Sequence, residues 1–367
     1  MKKILVITPF FYPHIGGSER YMEDLYAYIK EKYPAISVDL LCYNTDKVKE
    51  KEEYRGLNVY RIPCWTILQG QFCLPKPLSL FKFLKNHKSY DLVHSSTRFF
   101  DNSWWAPVYA KFIRAKVVLT DHCSSHPISS NSFIDVLIKF IEATIVRFSL
   151  YFYDEVYAEN KKTQEFLKRT FKISSQLVYP GLSYQIESFK FRNNQRLKIV
   201  YVGRMIKSKG VEELFEIAKE TPEADFIFAG DGPLMTYLKE KKQGNKLTNI
   251  FILGNLSRAE VSKLLKSADI FAYPSMHSEG LPIALIEAGA SGLAVVATNS
   301  GAISELIKDN RTGLLVKPSD RKAFKAALDR LIEDKSLRQE MAKNLYDYTI
   351  ENFSWKNPVS LIIKELQ

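Results

Sequence analysis

Residues 197–230, LKIVYVGRMIKSKGVEELFEIAKETPEADFIFAG, read in succession as strand, loop, helix and strand. KIVYV is a short apolar run rich in β-branched residues, the composition of a strand buried on both faces. KGVEELFEIAKET mixes apolar and charged residues at helical spacing, and DFIFA is again a strand. Strand, helix and strand in this order form a parallel βαβ unit.

The same alternation runs along the whole chain. Downstream, NIFILGN, IFAYPS, AVVATN and GLLVKP are strands, with EVSKLLKSA and LPIALIEAGAS among the helices between them. Upstream, KKILVITPFF opens on a strand, and the loop PHIGGSE leads into helical RYMEDLYAYIKEKY. VDLLCY, NVYRIP, DLVHSS and AKVVLTDH supply further strands. A polar, strand-poor bridge, SYQIESFKFRNNQR, separates the halves. The expected architecture is α/β, with two Rossmann-like domains facing across a cleft: residues 1–180, a linker at 181–197, and 198–350. In open α/β sheets ligands bind beyond the carboxyl ends of the strands, so the residues just after each strand are the candidates.

Composition narrows the function classes. The chain has 367 residues, 46% hydrophobic and 25% charged, as in a globular protein. Its four cysteines, Cys42, Cys64, Cys73 and Cys123, sit in no CxxC or metal-ligand spacing and read as reduced thiols. The opening apolar run is too short for a signal peptide, so a cytoplasmic location is expected. Net charge is +11, and residues 1–200 hold 29 Lys and Arg against 19 Asp and Glu. The basic excess belongs to the first half, which implies an anionic partner there. No nucleic-acid-binding motif is present, so nucleic acid is not expected.

Residues 131–153, NSFIDVLIKFIEATIVRFSLYFY, are too interrupted by Asp135, Lys139, Glu142 and Arg147 to span a bilayer. On a helix those charges fall roughly on one stripe and leave a broad apolar face. Two readings follow: a helix facing the core, or one lying in a membrane interface, peripheral to an anionic membrane.

Two loops carry the chemistry. After KIVYV, Gly203 allows a sharp turn, and Arg204 and Lys209 project cations from one loop. Fixed cations stabilise the charge that develops on a departing diphosphate. After IFAYPS comes Ser278-Glu279-Gly280-Leu281-Pro282, opening a helix expected over 281–290 with Pro282 in its first turn. The helix N-terminus suits phosphate oxygens. Glu279 is placed to accept from sugar hydroxyls. Glu287, eight residues on, falls roughly on the same helix side and suits a ribose diol. In the first half, Gly16-Gly17 lies between strand one and helix one. Neither a GxGxxG fingerprint nor a P-loop occurs.

These pieces, in this order, resemble the retaining family-4 glycosyltransferases of the GT-B fold. The resemblance is densest from VYVGRMIKSKG through AGDGP, ILGNLSRAE, ADIFAYPSMHSEGLPIALIEAGASGLAVVAT and SGAISELI. In the first half it rests on TPFFYPHIGGSER, DLVHSS and VVLTDH. It implies that Arg204 and Lys209 clamp the donor diphosphate, that Glu279 contacts the donor sugar, and that Gly280 and Leu281 offer backbone amides. It further implies that Glu287 binds the ribose, Gly16 and Gly17 close over the donor, and His122 sits at the sugar end. A helix over 351–367 returns to the first domain in such enzymes.

The implied reaction moves a sugar from a UDP- or GDP-sugar to a glycan or lipid-linked acceptor in cell-envelope or polysaccharide synthesis, with retention. No metal is expected, since no Asp-x-Asp is found, and no cofactor, the nucleotide-sugar being a co-substrate. Two other readings stay open: a nucleotide-sugar 2-epimerase of the same fold, and a non-catalytic sugar-nucleotide-binding protein. His94, His126 and the aromatic run FFDNSWWAP (99–107) are further acceptor-side candidates that packing would equally explain.

Overall fold

The computed structural model describes residues 2–14, 16–67, 72–127, 132–182, 188–278 and 280–367, with the backbone alone at 132 and 133. The chain divides into two compact units: Met1–Ser183 with Trp355–Gln367, and Tyr184–Ser354.

Among the described residues, the first unit is built on strands β1 (Lys3–Ile7), β2 (Ser37–Tyr43), β3 (Lys51–Tyr54), β4 (Leu57–Ile62), β5 (Cys64–Ile67), β6 (Phe72–Pro75), β7 (Leu92–Ser96), β8 (Lys116–Asp121), β9 (Glu155–Ala158) and β10 (Gln176–Leu177). Eight of them form one sheet in the order β10-β9-β8-β7-β1-β2-β4-β3. Every pair is parallel except β3 with β4, while β5 and β6 form a separate antiparallel hairpin. KEEY is short and polar, and the hairpin strands CWTI and FCLP, at four residues each, are too short to stand out as alternating segments in sequence.

Strand periodicity splits this unit's core in two. Ile4, Val6, Val38, Leu40 and Leu92 face one layer, whereas Leu5, Ile7, Leu41 and Val93 face the other. Successive side chains point to opposite faces, and helices cover both. The first layer holds the Gly17–Lys32 helix through Tyr21, Leu25 and Ile29. It also holds the chain's end through Trp355, Val359, Ile362 and Leu366. Tyr21 meets Trp355 edge-on at 5.2 Å between ring centroids.

The segment following β8 departs from the core-facing reading. The Ser132–Ile141 helix runs through a π-helical turn, Glu142–Val146, into Arg147–Leu150. Glu142 is buried, whereas Val136, Phe140 and Phe148 stand exposed. The cause is a buried charge cluster. Arg98, fully buried, pairs with Asp121 and reaches Glu142 at 3.2 Å, while His126 bonds the other oxygen of Glu142. A buried guanidinium requires its carboxylates, so the helix turns Glu142 inward and carries its apolar residues outward.

The second unit has β11 (Lys198–Val202), β12 (Asp225–Ala229), β13 (Ile250–Gly254), β14 (Ile270–Tyr273), β15 (Ala294–Thr298) and β16 (Leu314–Val316). All are parallel, in the order β13-β12-β11-β14-β15-β16. The direction of strand progression reverses between β11 and β14, which makes a ligand crevice at their carboxyl ends.

Candidate functional site

The loops after β11 and β14 flank that reversal, and both sequence-derived loops lie there. Gly210 has φ +67°, and a Cβ on it would overlap the Pro274 carbonyl oxygen. Only glycine combines that left-handed backbone with so close an approach. Met276 N donates to Ser208 O at 2.9 Å, stitching the two loops together.

Aromatic side chains support the loop that carries the cations. Tyr201 and Tyr273 stack nearly parallel, 17° apart with centroids at 6.3 Å. Tyr201 donates its hydroxyl to the Arg204 carbonyl at 2.9 Å. Lys209 donates to the Tyr273 hydroxyl at 3.1 Å, with its ammonium 5.6 Å from that ring. The Arg204 side chain is exposed. Two positive groups are thus held on one short loop, one of them anchored to a strand residue, where an anion is strongly favoured.

The second loop corrects one expectation. The helix runs Ile283–Ala290, and Pro282 is its N-cap with an extended ψ of 118° rather than a first-turn residue. A proline disfavours helical backbone in the residue before it, so Leu281 stays outside the helix. Leu281 is buried. Half of the eight-residue step from Glu279 to Glu287 is therefore not helical, and helical periodicity does not relate the two. Glu279 lies outside the described residues. Gly280 lies in the loop, and Glu287 is buried on the helix at 4% exposure.

In the first unit, Gly16 caps the Gly17–Lys32 helix, with Gly17 its first residue. A Cβ at Gly16 would overlap the Glu19 carboxylate, whereas Gly17 has open space around it. His122 follows β8. Its Nδ1 lies 2.6 Å from Glu159 Oε2, its ring meets Tyr21 edge-on at 5.0 Å, and its buried Nε2 has no hydrogen-bond partner among the described residues. Burial alone would lower its pKa, but Glu159, then Asp121 and Glu19, more than offset this and leave it raised. The positive imidazolium is therefore favoured, with both ring nitrogens as donors. The fold brings His122 within electrostatic reach of the glycine-led helix start through Glu19 and Tyr21.

The family model for Glycosyltransferase Family 4 matches residues 15–185, and that for Glycosyl transferases group 1 matches residues 184–348. The chain belongs to the family-4 glycosyltransferases, with the GT-B fold. An uncharacterized glycosyltransferase of Methanocaldococcus jannaschii is 29% identical, over 98% of this chain and 97% of its own. One component of the human phosphatidylinositol N-acetylglucosaminyltransferase is 24% identical over 96% of this chain and 73% of its own. Among solved structures, HepE of Anabaena in complex with UDP superposes with a TM-score of 0.76 at 18% identity, covering 100% and 99% of the two chains.

The glycosyltransferase also contains site-adjoining residues that sequence reasoning did not single out. Gly230 has φ +135°, and its missing side chain admits the Gly203 carbonyl; Met205 N donates to Asp231 O at 2.8 Å. The AGDG loop thus forms the floor under Gly203 and Met205, the residues on either side of Arg204. Glu159 and Glu19 had no signal in sequence, since their partner His122 is distant along the chain. His94 is fully buried between Tyr26 and Thr120, at 2.6 and 2.8 Å, and burial first, then the charge of His122, lowers its pKa to about 3. It is a neutral core group. Trp104 and Trp105 pack against the second core layer, and Trp105 donates to Asp101 at 3.1 Å.

Proposed function

We propose that this glycosyltransferase takes a sugar from a UDP- or GDP-sugar and transfers it, with retention and without a metal, to a glycan or lipid-linked acceptor. The observation that carries the donor half is the Arg204–Lys209 loop at the strand-order reversal, braced by Tyr201 and Tyr273. As the bond from the anomeric carbon to the diphosphate oxygen breaks, negative charge grows on the leaving group beside these cations. The acceptor oxygen bonds the anomeric carbon on the same face, and its proton passes to a diphosphate oxygen. Gly280 and Leu281 would offer amides to the phosphates, Glu279 hydrogen bonds to the sugar, and Glu287 a carboxylate to the ribose. His122, favoured as imidazolium, suits donation to a sugar oxygen.

Of these two donors, a UDP-sugar is supported by HepE, which shares the fold and was solved with UDP. The lipid-linked acceptor is supported by the human relative, part of an N-acetylglucosaminyltransferase of phosphatidylinositol, and by the basic first half. A cytoplasmic protein peripheral to a membrane fits both.

A thermal-shift panel of UDP, GDP, ADP and their sugars, followed by turnover with and without acceptor, tests this reading. Lys209→Ala should lower turnover about a hundredfold or more while nucleoside binding changes little. Unchanged turnover would remove Lys209 from the mechanism. Loss of the donor without any acceptor would replace transfer by isomerisation or hydrolysis.

A further inference from the structure

The helical segment that follows β8 turns a row of large apolar side chains outward. Buried positions recur at Ile138, Glu142, Val146 and Leu150, one narrow stripe. Between them Val136, Phe140, Ile145, Phe148 and Tyr151 are exposed, Phe140 at 64% and Phe148 at 68%. The Asn102–Ile113 helix packs beside the segment and adds Phe112, 72% exposed. Lone exposed apolar residues are ordinary, but a run of large ones across adjoining helices marks a surface that is covered in use.

Charge decides what covers it. Lys139 and Arg147 stand exposed on the same segment. Lys88 places its ammonium 5.5 Å from the Phe112 ring. The nearby Asp154 is engaged by Lys111 at 3.5 Å. Aromatic and branched apolar side chains interleaved with cations match a bilayer interface, where rings enter the acyl boundary and ammonium and guanidinium groups meet phosphate. Among the described residues no helix is long and apolar enough to cross a membrane, so the segment would lie on the surface.

We propose that the exposed face formed by residues 136–151 and Phe112 docks the first unit onto an anionic lipid bilayer. The inference deepens the lipid-linked acceptor reading, because docking would bring the first unit to the membrane that carries such an acceptor. Its test needs neither donor nor acceptor, so failure of one leaves the other standing.

The full-length chain should float with vesicles of equal parts phosphatidylglycerol and phosphatidylcholine. Binding should weaken in high salt and on phosphatidylcholine alone. Phe140→Asp with Phe148→Asp should reduce binding roughly tenfold or more, with far-UV circular dichroism and UDP affinity unchanged. Lys139→Glu with Arg147→Glu, which keeps every apolar residue, should reduce only the phosphatidylglycerol-dependent part. Absence of flotation, equal binding to both vesicle types, or full binding by the phenylalanine variant would overturn the proposal. A dimer in solution that Phe148→Asp dissociates would overturn it too, by assigning the face to a second copy of the chain.

Discussion

At the scale of single residues, two histidines from neighbouring strands are pushed in opposite directions. His94 is sealed among apolar groups and neutral partners, so burial dominates and its pKa falls to about 3. His122, just after the next strand, is less deeply buried and faces Glu159, and its pKa is raised. Their contributions to stability therefore occupy different pH windows. The lowered His94 contributes stability that is whole above about pH 6.5 and lost as pH falls toward 3, at up to about 1.4 kcal/mol per pH unit. The raised His122 contributes stability that is whole below about 6.5 and lost as pH rises through its folded pKa. Urea midpoints across pH should show His94→Gln flattening only the acid side and Glu159→Gln only the side above 6.5. Where imidazolium is the active form, Glu159→Gln should also move the alkaline limb of the transfer rate toward acid. A limb that stays in place would separate Glu159 from catalysis.

At the scale of elements, the loop proposed to hold the donor diphosphate depends on glycine in left-handed backbone. Gly210 joins the cation loop to its helix while passing against Pro274. Gly210→Ala should cost about 1–3 kcal/mol for the backbone alone, before the Pro274 overlap is relieved. Because Ser208 and Met276 are bonded across the same contact, nucleotide affinity should fall with stability. Calorimetric melting with and without UDP measures both, and an unaltered UDP-induced shift would detach the loop from donor binding. The Gly203–Gly210 loop was legible in sequence because strand, glycine, cation and helix follow one another within a few residues. The helix start was not, because local periodicity runs on through Leu281 while Pro282 alone stops it.

At the scale of the molecule, the last helix belongs to the unit that begins the chain. Trp355, Val359, Ile362 and Leu366 are part of the core layer that also contains Tyr21 and Leu25. Trp355→Ala should destabilise that unit by about 3–5 kcal/mol. Thermal unfolding followed by limited proteolysis should show cleavage within residues 1–183 at lower temperature, with Tyr184–Ser354 surviving. Simultaneous loss of both units would show that they unfold as one.

The sequence by itself determined the α/β class, most strands of the two units and the loops that hold Gly203, Arg204, Lys209 and Gly280, since all of these are short-range patterns. Tertiary structure alone decided the rest. It paired His122 with Glu159 and gathered Asp121 and Glu142 around Arg98, contacts across separations that composition and spacing do not encode. It also decided which side of the 132–150 segment meets water. The apolar residues outnumber the charges there, yet one buried arginine requires Glu142, and satisfying that charge turns the phenylalanines outward.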